Sequence, residues 1–279
     1  MVKNLNSFSV LLSVYKKNCS RELLQVLNNI SQNTVLPNQI VLVIDGPLTF
    51  DIATVCSKWL NPNQIQLKVV KRQSNGGLAR ALNEGLTYVT NDLVARCDVD
   101  DVNSLDRFEK QLKYMTSHDE VDILGGQVQE ISTNGLFLSE RHVPTQHQDI
   151  VSFAKFRSPM NHPTVMFRKN AISKIGAYRS SSKVEDYDLW VRAIMQHLVL
   201  HNLPDVLVNM TVETDTYKRR SGFKYYLSYR STKIEQYKIG FINLCNLMSS
   251  CFLMFCSALL LPTFLRRYLY TKFLRREAR

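Results

Sequence analysis

The sequence predicts an α/β fold, a mostly parallel, doubly wound sheet flanked by helices, and three observations lead there. Short apolar runs rich in Val, Ile and Leu recur at 8–14, 39–44, 66–70 and 92–98, with the length of buried strands. Segments with apolar residues at helical spacing alternate with them. Turn-forming residues such as Asp45-Gly46 and Asn75-Gly76-Gly77 fall between the two kinds. In such sheets the crossovers are right-handed and ligands collect at the carboxyl ends of the strands.

Taken in order, residues 8–14 read as the first strand. Ser20 is expected to cap a helix whose apolar face is Leu23, Leu24, Leu27 and Ile30. The second strand, 39–44, ends at Asp45-Gly46; residues 49–60 look helical and 66–70 form a third strand. Asn75-Gly76-Gly77 opens a helix over 78–88, and the fourth strand, from 92, breaks at Asp98-Val99-Asp100-Asp101. Further on, runs at 121–131 and 136–143 flank Asn134-Gly135, a hairpin signal. Residues 164–167 form a short strand, and 186–197 a helix with Leu189, Trp190, Ala193 and Ile194 on one face. No Pro/Gly/Ser-rich linker precedes residue 215, so 1–215 is expected to be one domain and 216–279 a basic, apolar helical region.

The net charge of +11 is concentrated in that last region, in Lys218-Arg219-Arg220, Lys224, Arg230, Lys233, Lys238, Arg266-Arg267, Lys272 and Arg275-Arg276. A basic tail suits an anionic partner: nucleic acid, phospholipid or a phosphorylated substrate. Residues 240–265 carry no charge, long enough to span a membrane, yet Asn243, Asn246, Ser249, Ser250 and Pro262 dilute them. Basic and apolar residues then alternate through 266–276 as in an interfacial helix. Membrane contact is expected, by lying on the surface rather than spanning; helices packed on the domain are the alternative. The six cysteines form neither a CxxC pair nor a zinc pattern, which fits a reducing cytosol. No apolar stretch of signal-peptide kind follows Met1-Val2-Lys3-Asn4.

Asp98 and Asp100, two apart just beyond a strand, can face the same side of an extended segment. Hard carboxylate oxygens suit Mg²⁺ or Mn²⁺ shared with substrate phosphates. Asp101, with Asn103 and Ser104, can instead cap the helix that follows. Asp45, at another strand end, can accept a hydrogen bond from a base N–H, or simply form a turn with Gly46. The glycines after Asn75 allow close backbone approach, and the helix N-terminus there favours phosphate.

These segments, Ser9-Val10-Leu11-Leu12-Ser13-Val14-Tyr15, Val43-Ile44-Asp45-Gly46, Asn75-Gly76-Gly77-Leu78-Ala79-Arg80-Ala81-Leu82-Asn83, Ala95-Arg96-Cys97-Asp98-Val99-Asp100-Asp101, Asn161-His162-Pro163-Thr164 and Glu185-Asp186-Tyr187-Asp188-Leu189-Trp190, stand in the order of a known family. The chain resembles bacterial family-2 inverting glycosyltransferases of GT-A fold that build O-antigen, capsule or exopolysaccharide. Within them it is most similar to β-1,3-galactosyl- or glucosyltransferases acting on a GlcNAc or GalNAc carried by undecaprenyl diphosphate.

The resemblance implies a UDP-sugar donor, Mn²⁺ or Mg²⁺, a lipid-diphosphate-linked acceptor, and a peripheral place on the inner face of the cytoplasmic membrane. It gives Asp45 the uracil, helped by Tyr15, and puts Asn75, Arg80 and Asn83 in the donor pocket. It gives Asp98 ribose or metal and Asp100 the metal. Asp186 becomes the general base, with Glu185 the second choice. His162 falls near the acceptor or metal, or is a satisfied core histidine. Trp190 is better read as core packing than as a sugar platform. Lys218-Arg219-Arg220-Ser221-Gly222 would close over the diphosphate or face a membrane. A sugar-nucleotide nucleotidyltransferase would want a Gly-rich, Arg-containing loop after the first strand, where Tyr15-Lys16-Lys17-Asn18-Cys19 stands. A nucleic-acid-binding module would want an aromatic platform or zinc motif beside its basic residues, and none is expected here.

Overall fold

The computed structural model describes residues 7–59, 61, 65–179, 184–212 and 222–257. Strands β1 (Phe8–Val14), β2 (Gln39–Ile44), β3 (Gln66–Lys71) and β4 (Leu93–Arg96) pair in parallel in the order β3-β2-β1-β4. Helices α1 (Ser20–Ser31), α2 (Ile52–Lys58) and α3 (Leu78–Tyr88) connect them. Alternation along a strand sends neighbours to opposite faces. Thus Val10, Leu12 and Val14 join Leu23, Leu27 and Leu42 in one core, while Leu11 joins Val41, Val43 and Leu82 in the other. Both faces are covered, which is why the strands read as continuous apolar runs. Gly85 lets α3 sit close: a Cβ there would lie 2.5 Å from a Leu11 methyl and 2.7 Å from one of Val43.

Beyond β4 the sheet becomes mixed. It continues β4-β8-β6-β9-β5, with β5 (Val102–Asn103), β6 (Ile123–Ser132), β8 (Met166–Arg168) and β9 (Leu200–Val212); β7 (Phe137–Arg141) pairs with β6. β8 runs antiparallel to both β4 and β6, whereas β9 is parallel to β6. The expected hairpin forms at Asn134-Gly135, with Gly135 at φ 77° and its N–H donating to Ser132 O at 2.9 Å. Helices α4 (Arg107–Ser117), α5 (His147–Ala154), α6 (Lys169–Lys174) and α7 (Glu185–Met195) pack around this half.

Two capping expectations change. Cys19, not Ser20, holds the cap position of α1, and its N–H donates to the Glu22 carboxylate at 3.0 Å. Asp101 caps no helix: its Oδ1 accepts from Thr211 N at 3.1 Å, tying the turn to β9, and α4 begins after Asp106.

The described part of the C-terminal region forms α8 (Phe223–Lys238) and α9 (Leu244–Phe255), joined through Gly240 at φ 76°. Phe241 and Ile242 bury against Ala154, Tyr187 and Val191. Among the described residues no helix is long and apolar enough to cross a membrane. The basic segment 218–221 and the alternating segment 266–276 lie outside the described residues.

Candidate functional site

The carboxyl ends of β1, β2 and β4 open on a cavity of about 870 Å³, lined among others by Tyr15, Asp45, Asn75, Arg96, Asp98 and Asp100. Each strand stops where its sequence turns polar. After β1, Tyr15 and Asn18 close a tight turn: Asn18 N donates to Tyr15 O at 2.9 Å, and Tyr15 N to Asn18 Oδ1 at 3.1 Å. This leaves Tyr15 37% exposed at the rim.

After β2, Asp45 is buried, and its carboxylate is heavily engaged. Oδ1 accepts from Gly76 N and Oδ2 from Gly77 N, both at 2.9 Å, and Arg72 forms an ion pair with Oδ1. Asn75 Nδ2 donates to the Asp45 carbonyl at 3.1 Å. Asp45 therefore organises the 75–77 turn from across the sheet edge. Gly46 makes this approach feasible: at φ 86°, a Cβ would come within 2.6 Å of Asn75 N.

After β4 the surroundings differ. Asp98 pairs with Arg96, a buried arginine whose Nε has no hydrogen-bond partner among the described residues. Asp100 has exposed surface toward the cavity, yet desolvation by nearby protein and the Asp98 charge raise its carboxyl to about 6. Burial, then Asp98 and Asp100, push Asp101 well above the usual carboxylate range. Beneath the turn lies Arg107, fully buried, donating to Arg96 O at 2.8 Å and Gln111 Oε1 at 3.0 Å and to the Asn103 side chain. A rigid polar hub thus holds three crowded carboxylates.

Glu185 and Asp186 occupy the first turn of α7, half-buried. Desolvation raises the Glu185 carboxyl, with Asp186 adding to the rise and Arg96 opposing it. This turn therefore lies within electrostatic reach of the β4 edge, although the cavity lining does not include it.

The remaining predicted residues are placed elsewhere. Both polar atoms of the Asn83 side chain are used on Tyr178, donating to its carbonyl at 2.7 Å and accepting from its N–H at 2.9 Å. Arg80 is exposed on α3, outside the cavity lining. His162 is buried, with Nε2 2.9 Å from the Tyr178 hydroxyl, and burial followed by the Arg96 charge lowers its pKa well below the usual value. Trp190 is fully buried, its ring 5.9 Å from that of His162. His162, Tyr178 and Trp190 form a packed layer beside the edge.

Sequence reasoning gave no role to Arg72, Arg96 or Thr211. Arg96 carried a signal, since residues two apart on an extended segment share a face and Asp98 follows it at that spacing. Arg72 and Thr211 reach the site by strand pairing across the sheet, which no local spacing reveals.

The comparisons with known proteins agree in kind. The family model described as glycosyl transferase family 2 matches residues 9–176. The chain is 37% identical over 269 residues to the amylovoran biosynthesis glycosyltransferase AmsE of Erwinia amylovora, covering 95% of this chain and 98% of that protein. It is 35% identical over 277 residues to the UDP-Gal:α-D-GlcNAc-diphosphoundecaprenol β-1,3-galactosyltransferase of Escherichia coli, covering 96% and 97%. The fold matches that of S. aureus TarS 1-349 in complex with UDP-GlcNAc at a TM-score of 0.64 and 18% identity, covering 90% of this chain and 73% of that one. A second S. aureus TarS structure has a longer chain, and this chain spans 44% of it.

Proposed function

The chain belongs to glycosyl transferase family 2, and from that premise we propose that it transfers a hexose, Glc or Gal, from a UDP-sugar to a hydroxyl of a lipid-diphosphate-linked HexNAc, with inversion, during bacterial surface polysaccharide synthesis. The observation that carries this reading is the cavity at the strand ends, where Tyr15, Asp45, Asp98 and Asp100 meet. The near full-length similarity to AmsE and to the E. coli galactosyltransferase supports the substrate class.

In this reading Asp45 receives the uracil N–H. A carboxylate has about four acceptor positions, and Gly76, Gly77 and Arg72 occupy three. Tyr15 flanks the base from the rim. Asp186 takes the proton of the acceptor hydroxyl while that oxygen attacks the anomeric carbon from the face opposite the diphosphate. This single displacement needs no protein nucleophile. Glu185, whose carboxyl is raised by burial, stands beside Asp186 as the second candidate base.

The β4 turn suits a divalent cation: Asp98 and Asp100 line the cavity, and desolvation followed by the Asp98 charge raises the Asp100 carboxyl, a cost that a cation would relieve. Among the described residues no group of three or more His, Cys, Asp or Glu can hold a metal ion, so donor phosphates would complete the shell. Mn²⁺ or Mg²⁺, when bound there, supplies charge neutralisation for the departing diphosphate.

The enzyme would work on the inner face of the cytoplasmic membrane as a peripheral protein, without nucleic acid. Phe223, Leu227, Leu244, Met248, Phe252 and Leu253 are all exposed on α8 and α9, next to basic sequence, which suits an interfacial contact.

The test is a donor screen of UDP-Glc, UDP-Gal and their N-acetyl forms against GlcNAc- and GalNAc-diphosphate lipids, with and without Mn²⁺. Metal-dependent transfer of one hexose is expected. Transfer only from an N-acetylated donor, or full activity in chelator, would overturn the corresponding part.

A further inference from the structure

Away from the cavity, α8 buries a lysine completely. Lys233 has no accessible surface, and among the described residues it takes part in no ion pair. Lysine is almost never fully buried unless paired. Its Nζ instead donates to Tyr187 Oη at 2.6 Å, Lys155 O at 2.7 Å and Gln236 Oε1 at 3.0 Å. The Tyr187 hydroxyl donates its own proton to Ala154 O at 2.5 Å, so toward Lys233 it can only accept. Three acceptors surround Nζ, which is the complement of an ammonium group. The rings of Tyr187 and Tyr229 complete the pocket at 5.0 and 5.6 Å from Nζ.

The site joins three elements. Lys155 ends α5, Tyr187 lies in the first turn of α7 beside Asp186, and Lys233 is on α8. A second bond, Tyr229 Oη to Phe156 O at 3.0 Å, fastens α8 to the same end of α5. An apolar side chain in place of Lys233 would suit the neighbouring cluster of Ala154, Tyr187, Val191, Phe241 and Ile242. It would give the α7 turn no direction.

We infer that Lys233 is a positioning residue for transfer: through Tyr187 it fixes the first turn of α7 against the end of α5, and so sets where Asp186 points. This rests on the proposed function only in taking Asp186 as the base. The contact makes the C-terminal helices part of the catalytic scaffold.

Burial lowers the Lys233 pKa to about 7. The titratable groups facing it are Tyr187 from α7, Tyr229 from α8 itself and Cys251 from α9; the end of α5 presents a carbonyl. As pH rises through about 7 the ammonium form is lost, and with it one of three donated bonds. Positioning therefore weakens on the alkaline side.

The test uses the full chain with Lys233→Met, Tyr187→Phe and the double variant. Each single variant is expected to lower kcat at least 5-fold at saturating substrates, while the Kd for UDP with Mn²⁺ stays within 2-fold. The double variant should lose less than the product of the two single losses, because both remove the Lys233–Tyr187 contact while each also removes bonds of its own. The fall in wild-type kcat above pH 7 should flatten in Lys233→Met. Unchanged kcat in either folded variant, or multiplicative losses in the double, overturns the inference. Hydrogen exchange reads the same contact without activity. The Asp188 amide, bonded to Val184 O at 3.1 Å, should exchange at least 5-fold faster in Tyr187→Phe, the near-isosteric variant. Unchanged protection there also overturns the inference. Wild-type protein inactive with every donor would count against the proposed function alone, leaving exchange to decide this one.

Discussion

Asp45 and Asp100 line one cavity from the ends of β2 and the β4 turn, and their surroundings are opposite in character. Asp45 is buried with its charge answered by two backbone N–H groups and Arg72. Asp100 is raised first by desolvation and then by the Asp98 charge, which the more weakly acting Arg96 only partly offsets. The first carboxylate is finished by the fold, and the second is left to be finished by something that arrives. If the proposed roles hold, stability and function should separate: Asp45 would serve both, and the β4 turn would give up stability for binding.

The largest expected effect is on turnover. Asp186→Asn should lower kcat by about 10²–10⁴-fold, the range of general-base catalysis, and Asp100→Ala by at least about 10²-fold, as for loss of one electrostatic stabiliser. Both variants should unfold at or above the wild-type denaturant midpoint. Near wild-type kcat in either sinks that residue's role, and a large loss of stability in Asp100→Ala would break the contrast with Asp45.

Next comes the converse at Asp45. Asp45→Ala leaves two N–H groups without their acceptor and Arg72 with Glu84 as its remaining ion-pair partner, and should cost about 1–3 kcal/mol, the range for stranding hydrogen-bonding groups. Denaturant titration reads this directly, and UDP affinity should fall with it. A variant as stable as wild type would mean the 75–77 turn is held by other means.

The sharper test uses pH. The folded-state pKa of Asp100 lies near 6, above its unfolded value, so its favourable contribution is present at low pH and lost as pH rises through about 6. A divalent cation binds the ionised form. UDP with Mn²⁺ should thus raise Tm more at pH 7.5 than at pH 5.5, by on the order of 2–4 °C for each kcal/mol of added binding. An equal shift at both pH values would argue that the β4 carboxylates do not take the cation.

The same contrast explains what the sequence made legible. The first half is built from consecutive βα units, so strands, helices and the positions of Asp45 and Asp98 follow from local apolar runs. Partners such as Arg72 and Thr211 depend on register between distant strands. β9 has no strand signature in its sequence, because Pro204 and scattered Asn and Asp residues break its alternation, and its pairing with β6 supports it as a 13-residue strand. Arg80 and Asn83 share a helix with the glycine turn, but a helix turns about 100° per residue. Asn83 consequently faces Tyr178 rather than the cavity, a distinction that proximity in sequence does not draw.

Trp190 carries the smallest expected effect on catalysis and the cleanest test of that distinction. Its neighbours His162 and Tyr178 are buried as well, and its Nε1 has no hydrogen-bond partner among the described residues. Trp190→Phe keeps an aromatic ring in the core and removes an unpaired donor, so kcat and acceptor KM should stay within about 3-fold. Trp190→Ala opens a cavity and should cost about 3–5 kcal/mol. If Trp190→Phe instead raised acceptor KM tenfold with unchanged stability, the indole would be reaching a sugar, and the layer beside the β4 edge would open during the reaction.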